Sequence, residues 1–270
     1  MKKVSEEIRK QYRLYWVKFG FRILVLTAVT GLVIFYPEEL NVLEGMHFFQ
    51  HVSFLHIVWA LWAWYMIEKL LPLQNTSRGS KKYRRSEFQP AKEYEAWLEC
   101  RQNRKPESER MAGREDFGIA FQQERRKYAR GAGRVLGAWI LAALVIFLLK
   151  RSHILGNREL LLLSALFYVG DLVCILIWCP FRDVLMKNRC CTQCRIYNWD
   201  TLMLILPVAF IPGFYSYSLL GGALLVVGCW EIAHVFHPER FYALTNASLQ
   251  CRNCKGELGC ARYRKGGRKG

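Results

Sequence analysis

The sequence predicts an all-α integral membrane protein of six transmembrane helices with a small zinc-ribbon-like module on the cytosolic side. Long apolar runs almost free of charge alternate with segments crowded with Lys and Arg, and two C-x-x-C pairs bracket the last two apolar runs. Hydrophobic residues make up 52% of the chain, yet its net charge is +17. Such clumping is typical of a polytopic membrane protein rather than of two soluble domains.

Six apolar runs have roughly the length that crosses a bilayer, about 20 residues each. They pair into three hairpins because the segments between members of a pair are short. The predicted spans are 21–36, 48–71, 134–149, 160–178, 201–217 and 222–236.

The distribution of Lys and Arg predicts the orientation of these spans. The segment 73–133 holds 15 Lys/Arg and 9 Asp/Glu. The loops expected on the opposite side contain only Lys150, Arg151 and Arg158 as cations. By the positive-inside rule, the basic segments and both termini are cytosolic. The compact loops and the absence of a cleavable signal suit a bacterial cytoplasmic membrane.

The chain accordingly divides into a series of predicted segments. A basic amphipathic N-terminal helix (1–20) either lies on the membrane surface or extends the first span. After it come a first hairpin (21–72), a basic cytosolic loop with short amphipathic helices (73–133), a second hairpin (134–178), a first cysteine knuckle (179–200), a third hairpin (201–237), and a second knuckle with a basic tail (238–270).

Several details of these segments are open to structural test. Arg22 is expected to snorkel to the cytosolic headgroups. Two amphipathic helices are expected in the basic loop, over Ala91–Arg104 and Glu115–Arg130. Pro207 and Pro212 should kink or shorten the fifth span, and Ser218–Gly222 is predicted to be the outside turn of the third hairpin.

The cysteine pairs carry the most specific chemistry in the chain. Cys191 and Cys194 have the spacing C-x2-C, as do Cys251 and Cys254, with 56 residues between the pairs. If the intervening segment crosses the membrane twice, both pairs return to one face. Four thiolates from two tight turns complete a tetrahedral zinc shell. At these two knuckles alone the sequence resembles a zinc ribbon, which implies zinc bound by these four cysteines.

Other cysteines and cations surround this predicted site. Cys190 and Cys260 are spare thiols, additional ligands or a redox pair. Four thiolates also hold iron or an iron–sulfur cluster, which is the alternative cofactor. The flanking cations offset the thiolate charge; they are Arg189, Arg195, Arg252 and Lys255.

Asp171, near the middle of the fourth span, is the intramembrane polar candidate. A carboxylate at that depth is costly and faces the bundle interior or a water-filled cavity. Transport of a small solute or ion is one hypothesis. The other is a hydrogen-bonded Asp that links helices, with Ser164 or Tyr168 nearby. No second acidic residue is expected at its depth, since Glu68 and Glu231 lie towards the cytosolic ends.

No catalytic motif is present, so the sequence favours a protein that is not an enzyme. His47 and His51 share a helix face at the outer end. His234 and His237 lie at the cytosolic end and do not match them in depth, which argues against a membrane haem. The expected partners are anionic lipid and a cytosolic protein, with nucleic acid disfavoured for the basic tail. The sequence thus predicts a membrane protein with a structural or docking zinc module; a membrane redox protein is the alternative.

Overall fold

The computed structural model describes residues 2–50, 52–71, 82, 85–102, 107–188, 193–250 and 253. The regular secondary structure of these residues is helical. Their β pairing is limited to two isolated bridges. Seven α-helices occur in the described chain, in this order: α1 Lys2–Phe35, α2 Phe54–Leu70, α3 Lys92–Gln102, α4 Glu107–Arg151, α5 Asn157–Leu176, α6 Asp200–Ile205 and α7 Phe214–Phe236.

Four stretches of these helices are long and apolar enough to cross a membrane. They are Arg13–Phe35, Asp116–Arg151, Asn157–Leu176 and Phe214–Phe236. Large apolar side chains on them are exposed, as at Leu24, Leu141 and Leu225. In water such a surface would be a liability, whereas in lipid it is the favoured one. The prediction of an all-helical membrane protein is therefore supported.

Two helices are longer than the sequence indicates. The basic N-terminal segment belongs to α1, so it extends the first apolar helix. The second amphipathic segment of the basic loop belongs to α4, which continues without a break to Arg151. The expectation of a separate short helix over Glu115–Arg130 was wrong. The first amphipathic prediction agrees with α3.

The third predicted hairpin has its turn in a different place. Helix α6 ends at Ile205, two residues before Pro207, and a short 3-10 turn covers Val208–Phe210. Proline removes a backbone donor and clashes with the preceding turn, which explains the break. Helix α7 then begins at Phe214. Ser218–Gly222 is therefore helical, and the predicted turn there was wrong.

Gly222 explains that error, because its side of α7 packs closely on α2. A Cβ placed on Gly222 would lie 3.0 Å from the sulfur of Met66. Small residues serve membrane helices as points of close contact. Gly222 thus marks a helix contact rather than a turn.

The chain forms two compact units. We call the first, Met1–Leu71, Leu136–Cys179 and Asn198–Cys229, the bundle unit. We call the second, Pro72–Val135, Pro180–Tyr197 and Trp230–Gly270, the cysteine unit. Apolar side chains from α1, α2, α5, α6 and α7 fill the core of the bundle unit; among those with no exposure are Val29, Leu55, Trp62, Leu161, Ile205 and Tyr215.

Both ends of the segment 200–213 are tied to other parts of the bundle unit. At one end, Asp200 lies next to Lys69 at the end of α2. At the other, the Gly45 N–H donates to the Pro212 carbonyl, and the Phe214 N–H donates to the Gly45 carbonyl, each at 2.9 Å. The backbone of Gly213 approaches the Leu43 carbonyl so closely that a Cβ there would lie 2.1 Å from its oxygen.

Between these ends, the break after α6 leaves carbonyl groups without helical donors. The hydroxyl of the fully buried Ser164 on α5 donates to the carbonyl of Leu204. The side chain of a neighbouring helix thus satisfies a carbonyl group that the break leaves free.

In the cysteine unit, the segment 241–250 is held by backbone contacts with 89–91. The Ala91 N–H donates to the Thr245 carbonyl at 2.9 Å, and the Ala247 N–H donates to the Gln89 carbonyl at 2.7 Å. Tyr242 packs edge-on against aromatic rings of α4. These contacts order the chain that leads to the second cysteine pair.

Candidate functional site

A chain of charged and hydroxyl groups runs through the bundle unit, beginning at Arg22 on α1. Its guanidinium donates to Asp171 Oδ2 on α5 at 2.7 Å and to the Tyr168 carbonyl at 2.5 Å. It also lies 4.1 Å from the centre of the Tyr168 ring. The Arg22 side chain is only 8% exposed. The expectation that it snorkels to the headgroups was wrong, because the arginine has an anionic partner within the bundle.

The same chain continues through Tyr65 of α2 to Asp200 and Lys69. The Tyr65 hydroxyl donates to Asp200 Oδ2 at 2.5 Å and lies 3.2 Å from Asp171 Oδ2. Lys69 Nζ donates to the same Asp200 oxygen at 2.7 Å. We call the five side chains, Arg22, Asp171, Tyr65, Asp200 and Lys69, the polar chain.

The polar chain balances two cations against two carboxylates. It joins four helices, α1, α2, α5 and α6, through hydrogen bonds to charged groups, which are stronger than neutral ones. Asp200 is a second acidic residue in contact with the same hydroxyl as Asp171, so the expectation that Asp171 stands alone was wrong. This geometry favours the interpretation of Asp171 as a link between helices.

The described residues beside the two cysteine pairs lie next to each other in the cysteine unit. The amide nitrogen of Gln193 is 3.5 Å from the Leu249 carbonyl, and its amide oxygen accepts from the Tyr128 hydroxyl at 3.4 Å. Gln193 lies between Cys191 and Cys194, and Leu249 lies two residues before Cys251. The predicted ligand Cys194 is described; Cys191, Cys251, Cys254, Cys190 and Cys260 lie outside the described residues.

Cys194 itself is packed against a sulfur-containing side chain. Its Sγ lies 3.9 Å from Met186 Sδ, and Met186 is 3% exposed. Gly131 of α4 lies close to the backbone of Met186. A Cβ placed on Gly131 would lie 3.3 Å from the Met186 Cα. Met186 is therefore in close contact with α4.

Two buried cations flank Cys194. Lys82 is 1% exposed, and its Nζ donates to the Cys194 carbonyl at 2.6 Å. Arg195 is 8% exposed and makes a two-pronged ion pair with Glu231, one arm at 2.8 Å. The Trp230 indole donates to the Arg195 carbonyl at 2.9 Å. The positive charge of Arg195 is therefore already paired with a carboxylate.

The histidines do not form a ligand cluster in the described chain. His47 contacts Gln50, and His56 caps the start of α2 through Ser53. His234 Nε2 lies 2.8 Å from the Tyr242 hydroxyl. Burial raises the pKa of Tyr242, and the nearby Arg195 opposes that rise. His51 lies outside the described residues.

Within the described residues, no group of three or more His, Cys, Asp or Glu side chains is arranged to hold a metal ion. No protein-family model, curated protein or solved structure matches the chain.

Sequence reasoning missed several residues of both sites. The roles of Tyr65, Asp200 and Lys69 needed the tertiary structure, although an arginine and an aspartate inside two apolar runs were a signal for pairing. Lys82 is one of many cations in a basic loop, and nothing local distinguishes it. Its burial is visible only in the structure.

Proposed function

We propose that the chain is a six-span membrane protein whose cytosolic side carries a zinc site formed by Cys191, Cys194, Cys251 and Cys254. The zinc acts structurally, pinning the segment after 180 to the segment after 238. The resulting rigid, basic surface docks a cytosolic partner. The observation that carries the proposal is the contact of Gln193 with Leu249, because it brings the chain beside one cysteine pair to the chain beside the other.

The proposed six crossings include two that are short or interrupted. Helix α2 has 17 residues, which rise about 26 Å. The segment 200–213 extends from the Lys69 end of α2 to Gly45, the residue whose backbone it pairs with. Adding these two to the four long apolar helices gives an even number of crossings and leaves both cysteine pairs on one side.

The proposed docking surface is positively charged. On α4, several cationic side chains are exposed just before the apolar part of the helix; they are Arg125, Arg126, Lys127, Arg130 and Arg134. Basic residues next to a spanning helix attract anionic headgroups at about 1 kcal/mol each. Anionic lipid is accordingly the proposed bilayer partner of this helix.

Elemental analysis of the purified full-length protein tests the metal proposal. We expect one zinc for each chain. Substituting any one of the four proposed ligands with Ser should remove nearly all of the zinc, because the site assembles as a unit. Cys229→Ser is the matched control, since Cys229 lies on α7 in the bundle unit.

Three results would contradict the proposal in different ways. Iron in place of zinc, with visible absorption, would support the redox alternative. Graded, additive losses across the four variants would argue against one shared site. Absence of metal from the unsubstituted protein would remove the site altogether.

A further inference from the structure

Two fully buried polar groups in the core of the bundle unit have no hydrogen-bond partner within the described part of the chain. They are the indole N–H of Trp62 on α2 and the hydroxyl of Tyr215 on α7. The hydroxyl of the next residue, Ser216, is equally buried and also has no partner among the described residues. Most buried polar groups in native proteins are hydrogen-bonded to protein or to an ordered water molecule, so each exception calls for an explanation.

The rings of Trp62 and Tyr215 are in contact with each other. Their centroids are 6.5 Å apart and their planes are inclined at 73°. Both rings belong to the core of the bundle unit. Further along the same two helices, Met66 of α2 lies against Gly222 of α7. The two polar groups therefore lie at one contact between α2 and α7.

Neighbouring polar rings on α2 do have partners. Trp59, about one turn before Trp62, donates its indole N–H to the Ser218 hydroxyl of α7 at 2.9 Å. Tyr65, about one turn after it, donates to Asp200. Trp62 is more deeply buried than Trp59, yet its N–H meets no acceptor in the residues that the structure describes. A donor is thus left without a partner where burial makes that most costly.

The chemistry of these groups defines the molecule that would satisfy them. An indole N–H only donates, so its partner must offer a lone pair, whereas a hydroxyl both donates and accepts. The surrounding core is apolar, which favours a neutral partner because burying an ion is costly. Neither ring has any exposed surface, so the partner must be small. Water fits this description, and buried waters typically make about three hydrogen bonds to groups that are otherwise unsatisfied.

We propose that the bundle unit binds a buried water molecule between α2 and α7, held by the Trp62 N–H and the Tyr215 hydroxyl. This inference is independent of the zinc site. The Tyr168 ring lies 6.4 Å from the Trp62 ring and 6.1 Å from the Tyr65 ring, measured between centroids. Only one ring therefore separates the water from the polar chain, and the bundle unit holds a small polar molecule beside its buried charges.

The substitution Tyr215→Phe distinguishes a filled site from an empty one, because it removes the hydroxyl and keeps the ring. With water bound, the variant loses a hydrogen bond in the core, and its unfolding temperature in detergent should fall by about 2–4 °C. With the site empty, the change removes a buried group that has no partner, so the unfolding temperature should stay the same or rise. Tyr217→Phe is the control, since Tyr217 is an exposed tyrosine of the same helix.

Solid-state NMR detects the water directly. The protein, with its indole nitrogens isotopically labelled, is reconstituted in lipid bilayers, and magnetisation transfer from water protons to each indole N–H is measured. The Trp62 signal, assigned by its loss in Trp62→Phe, should receive this transfer. Trp230 is the control, because its indole is equally buried and donates to the Arg195 carbonyl at 2.9 Å. Its signal should receive little transfer.

The two measurements together decide the inference. Transfer from water to Trp62, with a lower unfolding temperature of Tyr215→Phe, supports it. Absence of transfer to Trp62 overturns it whatever the unfolding temperature, because the indole then has no water within reach. If transfer to Trp62 occurs and the unfolding temperature of Tyr215→Phe is unchanged or raised, Tyr215 does not hold the water, and the proposed bridge between α2 and α7 is overturned.

Discussion

The bundle unit and the cysteine unit hold their buried lysine side chains by different contacts. In the bundle unit, Arg22 and Lys69 each contact a carboxylate, and one tyrosine connects the two pairs. In the cysteine unit, the buried Lys82 contacts a carbonyl beside a predicted metal ligand. The first arrangement pairs opposite charges on neighbouring helices. The second ties an ammonium group to the backbone of a predicted metal ligand.

This difference suggests different sources of stability. The bundle unit has a continuous apolar core, from Val29 on α1 to Val226 on α7, and its charges are paired within it. We expect its stability to be independent of metal. In the cysteine unit, the chain before the second cysteine pair forms short 3-10 turns at Pro238–Arg240 and Ala247–Leu249, which a metal would hold in place.

The largest expected effect comes from removing the metal. Cys194→Ser, or treatment with a chelator, should abolish amide protection over 193–197 and 241–250, because structural zinc contributes about 10–16 kcal/mol in small zinc-binding peptides. Hydrogen exchange with mass spectrometry measures the protection. Helices α1 and α5 should keep theirs. Loss of protection in both units to the same extent would remove the distinction between them.

The second effect concerns the ion pair of the bundle unit. Asp171→Asn leaves Arg22 buried without its carboxylate and should destabilise the protein by about 3–5 kcal/mol, measured by thermal unfolding in detergent. Removing both charges together, with Arg22→Met and Asp171→Leu, should recover much of the loss. Glu38→Gln, an exposed carboxylate, serves as control. No recovery in the double variant would mean that the aspartate has a role besides pairing.

The third effect tests the backbone contact at the other end of the bundle unit. In Gly213→Ala, the new methyl group would lie 2.1 Å from the Leu43 oxygen and 3.0 Å from the Gly45 nitrogen. The backbone must shift, at a cost of about 2–3 kcal/mol. Gly228→Ala is the control, because nothing lies within 4 Å of its added Cβ. Similar unfolding temperatures for the two variants would contradict the close approach at Gly213.

The helices were predictable because their signals are local. Apolar runs and charge boundaries indicated α1, α5 and α7, and Pro207 indicated the break after α6. The position of the turn was not predictable in this way. Gly222 has the sequence context of a turn, yet it allows α7 to approach Met66. Glycine serves both purposes, and only the neighbouring helix decides between them.

The two candidate sites also differ in how far the sequence predicts them. The spacing of the cysteine pairs predicts a metal shell from sequence alone, and that prediction awaits metal analysis. The partners of Asp171 are contributed by residues 149 and 106 positions away, Arg22 and Tyr65. No periodicity encodes such distances. Pairing of opposite charges in apolar runs is the one general rule that would have indicated Arg22.

The smallest predicted effect concerns the hydroxyl group that connects the two ion pairs of the bundle unit. A phenol carries one proton, so Tyr65 donates to one carboxylate at a time, and the 2.5 Å bond to Asp200 is shorter than the 3.2 Å approach to Asp171. Tyr65→Phe should cost about 1.5 kcal/mol in thermal unfolding, since each carboxylate keeps its cation. Tyr217→Phe, an exposed tyrosine of α7, is the control.

A double-mutant cycle then measures the connection itself. Asp171→Asn and Asp200→Asn should have non-additive effects on stability, because both carboxylates contact the same hydroxyl. In the Tyr65→Phe background the two effects should become nearly additive. Persistent coupling there would mean that the pairs interact directly through their charges. Additive effects with Tyr65 present would mean that the polar chain is two independent ion pairs, and the bundle unit would then be held by separate contacts between helices.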